Sequence, residues 1–588
     1  MNPLSLRIFS TQKKIMRDKN KNIVFDNISP KKIFNGNKKS ILFFDHINIV
    51  ESNKTHIALQ KGKNKLFIIF FFLLTTFLFI TFLLFKLSIT SDEINIFKNN
   101  PSVSRGKIID RNETIISASI PTLDLYLDGK KIINEKKTIE NLKSIFFKKK
   151  EGFFKEIVEK KQYKLVSKHL SEFEENEVRK LGEPGLIFHD SHRRIYPQDN
   201  LFSNVTGFIS KFGEAQSKLE KFYDDKLKNG IDIKLTLDLK IQNIIHEELT
   251  NSENIFSSKG SLGLLINVNN GKIISMVSKP DYNPNHPITI KPFSENNLIT
   301  DARFEMGSIL KIYNAAMAFE NNSIERDKLY DVSKDYALTK TYKVKDSTKF
   351  LEPINFEKIF THSSNIGSIK IYDSLGKEKQ KNFLKNIGLS EHTKIEGLST
   401  IDNKLPNNKQ WNEVISKSIS YGYGLSITPL SLVTTFSSLV NGGLKIRPKI
   451  VDSDTNNKER IISKQTSIKI SDLLKKVVEN GTGKNAKVRN LGIGGKTGTA
   501  KKSNKMGGYH ENKVITSFLG VFPINKPKYL LLILFDEPQT GFDSLTPYGS
   551  NTAAPVFSKI VNKIAPILNL EKVENDNRTY LLTNQTHQ

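Results

Sequence analysis

In a chain of 588 residues that contains no cysteine, the groups best placed for covalent chemistry are hydroxyls and amines. The stretch FEMGSILKIYNAAMAFE, Phe304 to Glu320, sets Ser308 and Lys311 three positions apart. A serine hydroxyl is a weak nucleophile until a neighbouring base takes its proton. On a helix, residues three apart share a face, which brings the Lys311 amine within reach of Ser308. Two further polar motifs follow in order: Ser363-Ser364-Asn365 in THSSNIGSIK and Lys496-Thr497-Gly498-Thr499 in GGKTGTAKK. Lys311 acts as a base only when neutral, and burial together with a positive Lys496 across a cleft would lower its pKa.

Each motif alone has a plainer reading. Ser308 could simply open a helix whose buried stripe is Ile309, Leu310, Ile312, Ala315, Ala316 and Phe319. The same serine-to-lysine spacing recurs at Ser10/Lys13, Ser29/Lys32 and Ser104/Lys107. Lys-Thr-Gly-Thr reads as a strand end before a turn, and Ser-Ser-Asn as an ordinary loop. Their occurrence in one order within one domain gives the chemical reading its weight.

The elements that must hold these residues come next. An apolar content of 38% is ample for a core. Without cysteine there is no disulfide framework and no thiolate metal site. The eleven histidines show no His-Glu-x-x-His spacing, so neither metal nor cofactor is expected. The formal charge of +28 is spread along the whole length with no nucleic-acid module. Nucleic acid is therefore not an expected partner, and an anionic lipid or wall polymer is the more economical one.

Leu66 to Phe85 is a run of twenty residues without a charge, bracketed by Lys65 and Lys86. At about 1.5 Å per residue it spans roughly 30 Å, the thickness of a bilayer core. Met1 to Lys65 carries fourteen Lys/Arg against four Asp/Glu, whereas Lys86 to Asn100 is balanced. The expected topology is a single pass with a cytoplasmic, largely disordered tail over 1–65 and everything beyond Lys86 outside.

Residues 86–230 read as an elongated, irregular module with a charged helical run from Lys148 to Lys180. Residues 231–570 read as one α+β domain, followed by a tail over 571–588. In that domain DIKLTLDLKIQNIIHEEL passes from strand to helix, and GSLGLLINVNNGKIISMVS is a hairpin turning at Asn269 to Gly271. A helical insert follows. GIGGKTGTAKK, ITSFLGVFPI and KYLLLILFDEP then supply three more strands, so both ends of the domain build one antiparallel sheet flanked by helices.

The ordered triplet of motifs is the signature of active-site serine penicilloyl transferases. The chain resembles the class B penicillin-binding proteins, monofunctional peptidoglycan D,D-transpeptidases, and within them the septal, FtsI-type branch. The likeness includes Arg105-Gly106-Lys107-Ile108-Ile109-Asp110-Arg111-Asn112, Arg194-Ile195-Tyr196-Pro197, LTLDLKIQ at Leu235, YGYGLSITPLSL at Tyr421 and GTGKNA at Gly481. It departs at Met306, Ile309 and Glu113, where many relatives have Pro, Thr and Gly. The resemblance implies a transpeptidase domain on a pedestal, with catalytic Ser308, Lys311, Ser363, Asn365 and Lys496. The backbone N–H groups of Ser308 and Thr499 would form an oxyanion hole, and Thr497, Gly498 and Thr499 would bind the substrate. Implied partners are peptidoglycan stem peptides on a lipid-linked precursor, a SEDS-type glycan polymerase and other division proteins, the plasma membrane, and β-lactams as inhibitors. A membrane-anchored β-lactamase or β-lactam sensor shares the triplet, and a non-catalytic division scaffold is the alternative of another class.

Overall fold

The computed structural model describes residues 24–26, 30–36, 39–44, 48–50, 54–90, 104–291, 293–324, 327–452, 459–504, 508–539 and 547–570. Met1–Ser102 and Val103–Gln588 are two separate compact units. In the first, Val24–Asp26 pairs with Asn48–Val50 and Pro30–Gly36 with Lys39–Phe44, all antiparallel. These strands occupy part of the tail expected to be disordered, and the remainder of that tail outside helix α1 (Lys54–Thr90) lies outside the described residues. Within α1, Ile68–Lys86 is long and apolar enough to cross a membrane, and no part of it is buried. Thr75, Thr76 and Thr81 turn their hydroxyls back to the carbonyls of Phe72, Phe72 and Phe77, so none of these three hydroxyl donors is left to an apolar solvent.

The second unit begins with the pedestal: β1 (Ile108–Ile109), β2 (Ile115–Asp128), α2 (Glu135–Ile145), α3 (Glu151–Glu159), β3 (Tyr163–Ser167), α4 (Glu172–Lys180) and β4 (Leu186–Ile195). It is more ordered than the sequence led us to expect. The long strand β2 pairs antiparallel with β4 from Ala118↔Ile195 to Leu127↔Leu186, and with β3 near its end. Pro121 and Thr122 break the apolar alternation that would have announced it, shifting its phase from Ile116, Ala118 and Ile120 to Leu123, Leu125 and Leu127. The charged run from Lys148 to Lys180 is two helices separated by β3. Leu125, Leu127, Leu142, Phe154, Ile157, Val158 and Val178 form the pedestal's own core.

Two polar networks fasten its base. Buried Glu220 accepts from Arg105, Arg194, Ser117 and Tyr196. Asp110 accepts from the backbone of Asn112 and Thr114 and from the N–H of Leu239, the first residue of α5 (Leu239–Phe256). Asp238 caps the same helix through Ile241 N–H and pairs with Arg111 at 2.9 Å. Two carboxylates thus meet the positive end of α5. The short strand β5 (Ile233–Lys234) runs parallel to β1, which completes the join.

The larger domain has the expected main sheet, beside two short ribbons, Leu329–Tyr330 with Ile354–Asn355 and Tyr336–Ala337 with Lys343–Val344. Strands β6 (Gly260–Asn267), β7 (Ile273–Lys279), β8 (Gly494–Ser503), β9 (Tyr509–Phe522) and β10 (Tyr529–Asp536) stand in the order β7-β6-β10-β9-β8, every pair antiparallel. The sequence-terminal strand β10 is central and buried along its whole length. Its side chains alternate between two cores. Leu530, Leu532 and Leu534 face the helical insert. Leu531, Ile533 and Phe535 face α5 and the last helix, Ala553–Ile564. An unbroken apolar run is what a strand covered on both faces requires. The edge strand β8 carries Lys-Thr-Gly-Thr, and against it packs the turn that holds Ser308.

Candidate active site

Ser308 lies in a 3₁₀ turn, Gly307–Leu310, which leads directly into helix α6 (Lys311–Glu320). In a 3₁₀ turn residues three apart eclipse one another, so Ser308 and Lys311 stand on one side of the element. Glycines set how close this turn comes to β8. A β-carbon on Gly307, whose φ is +54°, would sit 2.4 Å from the Thr499 carbonyl oxygen. One on Gly498 would meet Ser517 Oγ at 2.3 Å and the Met306 carbonyl at 2.7 Å. The bare Cα of Gly498 makes room for the turn before Ser308. Ser308 itself is half-buried, and its hydroxyl has no hydrogen bond among the described residues.

Behind it the polar groups converge on Ser363. Lys311 Nζ donates to the Ser363 carbonyl at 2.6 Å, to Ser363 Oγ at 3.1 Å and to Asn365 Oδ1 at 2.7 Å. Lys496 Nζ donates to the same Ser363 Oγ at 3.0 Å, from the other side. Both lysines are fully buried. Burial brings Lys311 down to about 7, against an opposing pull from Asp346. Lys496 is driven well below its ordinary value, first by burial and then by the charge of Lys311. The sequence reading had Lys496 depress Lys311. The charge effect runs the other way: Lys311 lowers Lys496, whereas Lys311 itself is lowered by burial and held up by Asp346.

The geometry also sets what the proton can do. A charged Lys311 amine has three N–H donors for its three acceptors. Once neutral it has two donors and a lone pair, so one contact must break or reverse. Among the three acceptors only Ser363 Oγ can also donate, which makes it the group able to hand a proton on.

Ser363 pays for its position with a left-handed backbone, φ +63°. Ser364 caps helix α7 (Asn365–Asp373) through Gly367 N–H. Asp346, which the sequence reading missed, accepts from Ser364 Oγ and from the N–H groups of Asn365 and Ile366. Asn365 Nδ2 donates to the Lys345 carbonyl at 2.8 Å, which turns Oδ1 toward Lys311. An Asp in a segment of short strands and turns carries no motif, so only the fold reveals it.

On β8, Thr497 Oγ1 pairs with Thr482 Oγ1 at 2.9 Å, and Thr499 Oγ1 accepts from Gly549 N–H at 3.0 Å. Thr482 belongs to the GTGKNA stretch, whose place beside β8 is thereby explained. Glu305, also missed, accepts from Gly424 N–H at 2.7 Å and from Tyr509 OH at 3.2 Å, and burial raises its pKa. The turn, the loop before α7 and the edge strand therefore bring Ser308, Lys311, Ser363, Asn365, Lys496, Thr497, Gly498 and Thr499 to one cleft.

Residues 262–562 match the family described as penicillin binding protein transpeptidase domain. The chain belongs to that family. Residues 101–233 match the penicillin-binding protein dimerisation domain, which covers the pedestal. Among relatives of the transpeptidase family, the probable peptidoglycan D,D-transpeptidase FtsI of Caulobacter vibrioides is 28% identical over 488 residues, 80% of this chain and 82% of that protein. Stage V sporulation protein D of Bacillus subtilis is 28% identical over 519 residues, 80% of this chain and 79% of that protein. The solved structure of penicillin binding protein 3 from Mycobacterium tuberculosis, complexed with aztreonam, shares the fold with a TM-score of 0.64. It is 21% identical and covers 80% of this chain and 97% of its own.

Proposed function

We propose that this chain is a septal, FtsI-type peptidoglycan D,D-transpeptidase that works through a serine acyl-enzyme. Ser308 Oγ attacks the carbonyl of the D-Ala-D-Ala bond in a stem peptide, and its proton passes to neutral Lys311, directly or by way of Ser363. The backbone N–H groups of Ser308 and Thr499 hold the oxyanion. The released D-Ala amine takes a proton back, and the amine of a neighbouring stem then attacks the ester to form the cross-link. One acyl bond is exchanged for another, so the reaction needs no nucleotide. The donor peptide lies along the free edge of β8 beside Thr497, Gly498 and Thr499, with Lys496, Thr497 and Thr499 toward its terminal carboxylate.

Ile68–Lys86 is proposed to anchor the chain in the bacterial plasma membrane. The lysine asymmetry supports a cytoplasmic N-terminus and a periplasmic catalytic domain. A SEDS-type glycan polymerase and other division proteins are the partners proposed for the pedestal, and β-lactams are proposed as covalent inhibitors.

One observation carries the reading. In a chain of this family, a fully buried amine held near pKa 7 follows a half-exposed serine by three residues, beside an edge strand. The test is intact mass after incubation with penicillin. One adduct is expected, mapping to the peptide that contains Ser308 and absent in Ser308→Ala. An adduct on another serine, or none on folded protein, would overturn the mechanism.

A further inference from the structure

The pedestal carries a cluster that neither its core nor its base uses. The turn between α2 and α3 has the sequence Phe146-Phe147-Lys148-Lys149-Lys150. Phe146 is buried in the pedestal core, whereas Phe147 is 78% exposed. Lys148 and Lys150 are exposed as well, and Lys149 is half-buried over the ring of Phe153, 4.4 Å from its centroid. Every acid of α3 is already engaged: Glu151 by Lys143, Glu156 by Lys160 and Glu159 by Lys155. Among the described residues Lys148, Lys149 and Lys150 have no carboxylate partner. Over residues 135–161 there are nine lysines and five glutamates.

We propose that this turn is a docking surface for an anionic lipid bilayer, with Phe147 entering the headgroup layer and Lys148, Lys149 and Lys150 meeting lipid phosphates. The pattern is that of an interfacial element, an apolar ring flanked by cations that no protein carboxylate neutralises. A soluble polyanion would satisfy the lysines but leave Phe147 in water. Only a partner with an apolar layer behind its charges uses both. The inference rests on the reading that Ile68–Lys86 anchors the chain, because a tethered domain needs only weak surface contacts to stay docked. A lysine near an anionic surface strengthens binding about fivefold, so three contribute on the order of a hundredfold.

The chain has no cysteine, so Ser144→Cys, an exposed position on the last turn of α2, gives one labelling site. Full-length protein carrying an environment-sensitive dye there is placed in nanodiscs of phosphatidylcholine alone or mixed with phosphatidylglycerol. Blue-shifted emission is expected only in the mixed discs. High salt should reverse the shift, and Lys148→Glu combined with Lys149→Glu and Lys150→Glu should abolish it while penicillin acylation is unchanged. Phe147→Ser should weaken the shift several-fold. Equal emission in both discs, or a charge-reversed variant behaving as wild type, would overturn the proposal. So would a shift produced by a soluble polyanion in neutral discs. Recovery of the chain with both kinds of disc reports separately on the apolar helix, so failure of the anchor and failure of the turn are distinguishable.

Discussion

The base of the pedestal and the cleft beside β8 both bury charge, and they treat it in opposite ways. At the base, Glu220 is fully buried but receives two guanidinium groups, a serine hydroxyl and a phenol. The Tyr196 phenol is held well above its ordinary pKa, by burial first and then by Glu220, so it stays a neutral donor. In the cleft, Lys311 and Lys496 are equally buried, yet their acceptors are a hydroxyl, backbone carbonyls and a side-chain amide. The nearest carboxylate, Asp346, spends its oxygens on Ser364, Asn365 and Ile366. A buried charge surrounded by opposite charges serves architecture. Two like charges in one pocket without such partners are pushed toward neutrality, where protons can be exchanged.

If that contrast holds, removing a group from the cleft should cost chemistry without fold. Lys311→Ala and Lys311→Arg are both expected to slow penicillin acylation by about 10²- to 10⁴-fold, the usual worth of a positioned base. Arginine keeps the charge but cannot supply a neutral amine at working pH. Thermal melts should show both variants folded. Near wild-type acylation by Lys311→Arg would move the base elsewhere, with Ser363 the next candidate.

The base of the pedestal should show the reverse. Glu220→Gln leaves Arg105 and Arg194 buried against a neutral amide, and removing one partner of a buried charge network costs about 3–5 kcal/mol. The melting temperature should drop clearly while acylation of the folded fraction stays near normal. A loss of acylation as large as that of Lys311→Ala would mean the two regions are not separable.

A finer test uses pH. Because Lys311 must be neutral to accept a proton, and sits at about 7, the acylation rate should climb with pH below that value, approaching tenfold per unit, and level off above it. Asp346 holds the Lys311 pKa up. Asp346→Asn should therefore shift the midpoint to lower pH. It should also lower the plateau severalfold, because Asn365 loses one of its anchors. A midpoint that moves upward would contradict the placement of charge in the cleft.

The sequence made the sheet legible because it depends on local pattern, and the proposed nucleophile stood out through three motifs in one order. The continuous run at Tyr529–Asp536 announces a strand buried on two faces, whereas the spacing of Ser308 and Lys311 recurs elsewhere in the chain and stands out only with the two motifs that follow it. Asp346, Glu220 and Glu305 were invisible because each acts on residues far away in the chain, Glu220 on Arg105 across 115 positions. No local signal encodes such a contact. The long strand β2 was hidden by the change of phase at Pro121-Thr122, across which pairing with β4 holds it extended. At Gly498 the sequence shows that a side chain is missing, but not that the turn before Ser308 needs the space.

The smallest expected effect sharpens the same contrast through backbone strain. Each region holds an ordinary residue in the left-handed conformation, Ser363 in the cleft at φ +63° and Glu113 at the pedestal base at φ +68°. An L-residue there is strained relative to glycine, and glycine is what many class B relatives place at the position of Glu113. Glu113 closes the turn between β1 and β2 by donating its N–H to the Asp110 carbonyl at 3.1 Å, while its side chain meets Lys234 in solvent. A solvent-exposed pair of this kind contributes little. Glu113→Gly should therefore raise the melting temperature by about one or two degrees, with acylation unchanged. Glu113→Ala, which removes the ion pair but keeps the strain, should leave the melting temperature level or slightly lower. Ser363→Gly relieves the same strain in the cleft but also deletes the hydroxyl shared by both lysines, so it should gain stability and lose acylation. If Glu113→Gly and Glu113→Ala move the melting temperature equally, the ion pair and not the backbone governs that turn. If Ser363→Gly keeps its acylation rate, the strain at Ser363 serves folding alone, and the proton route runs without its hydroxyl.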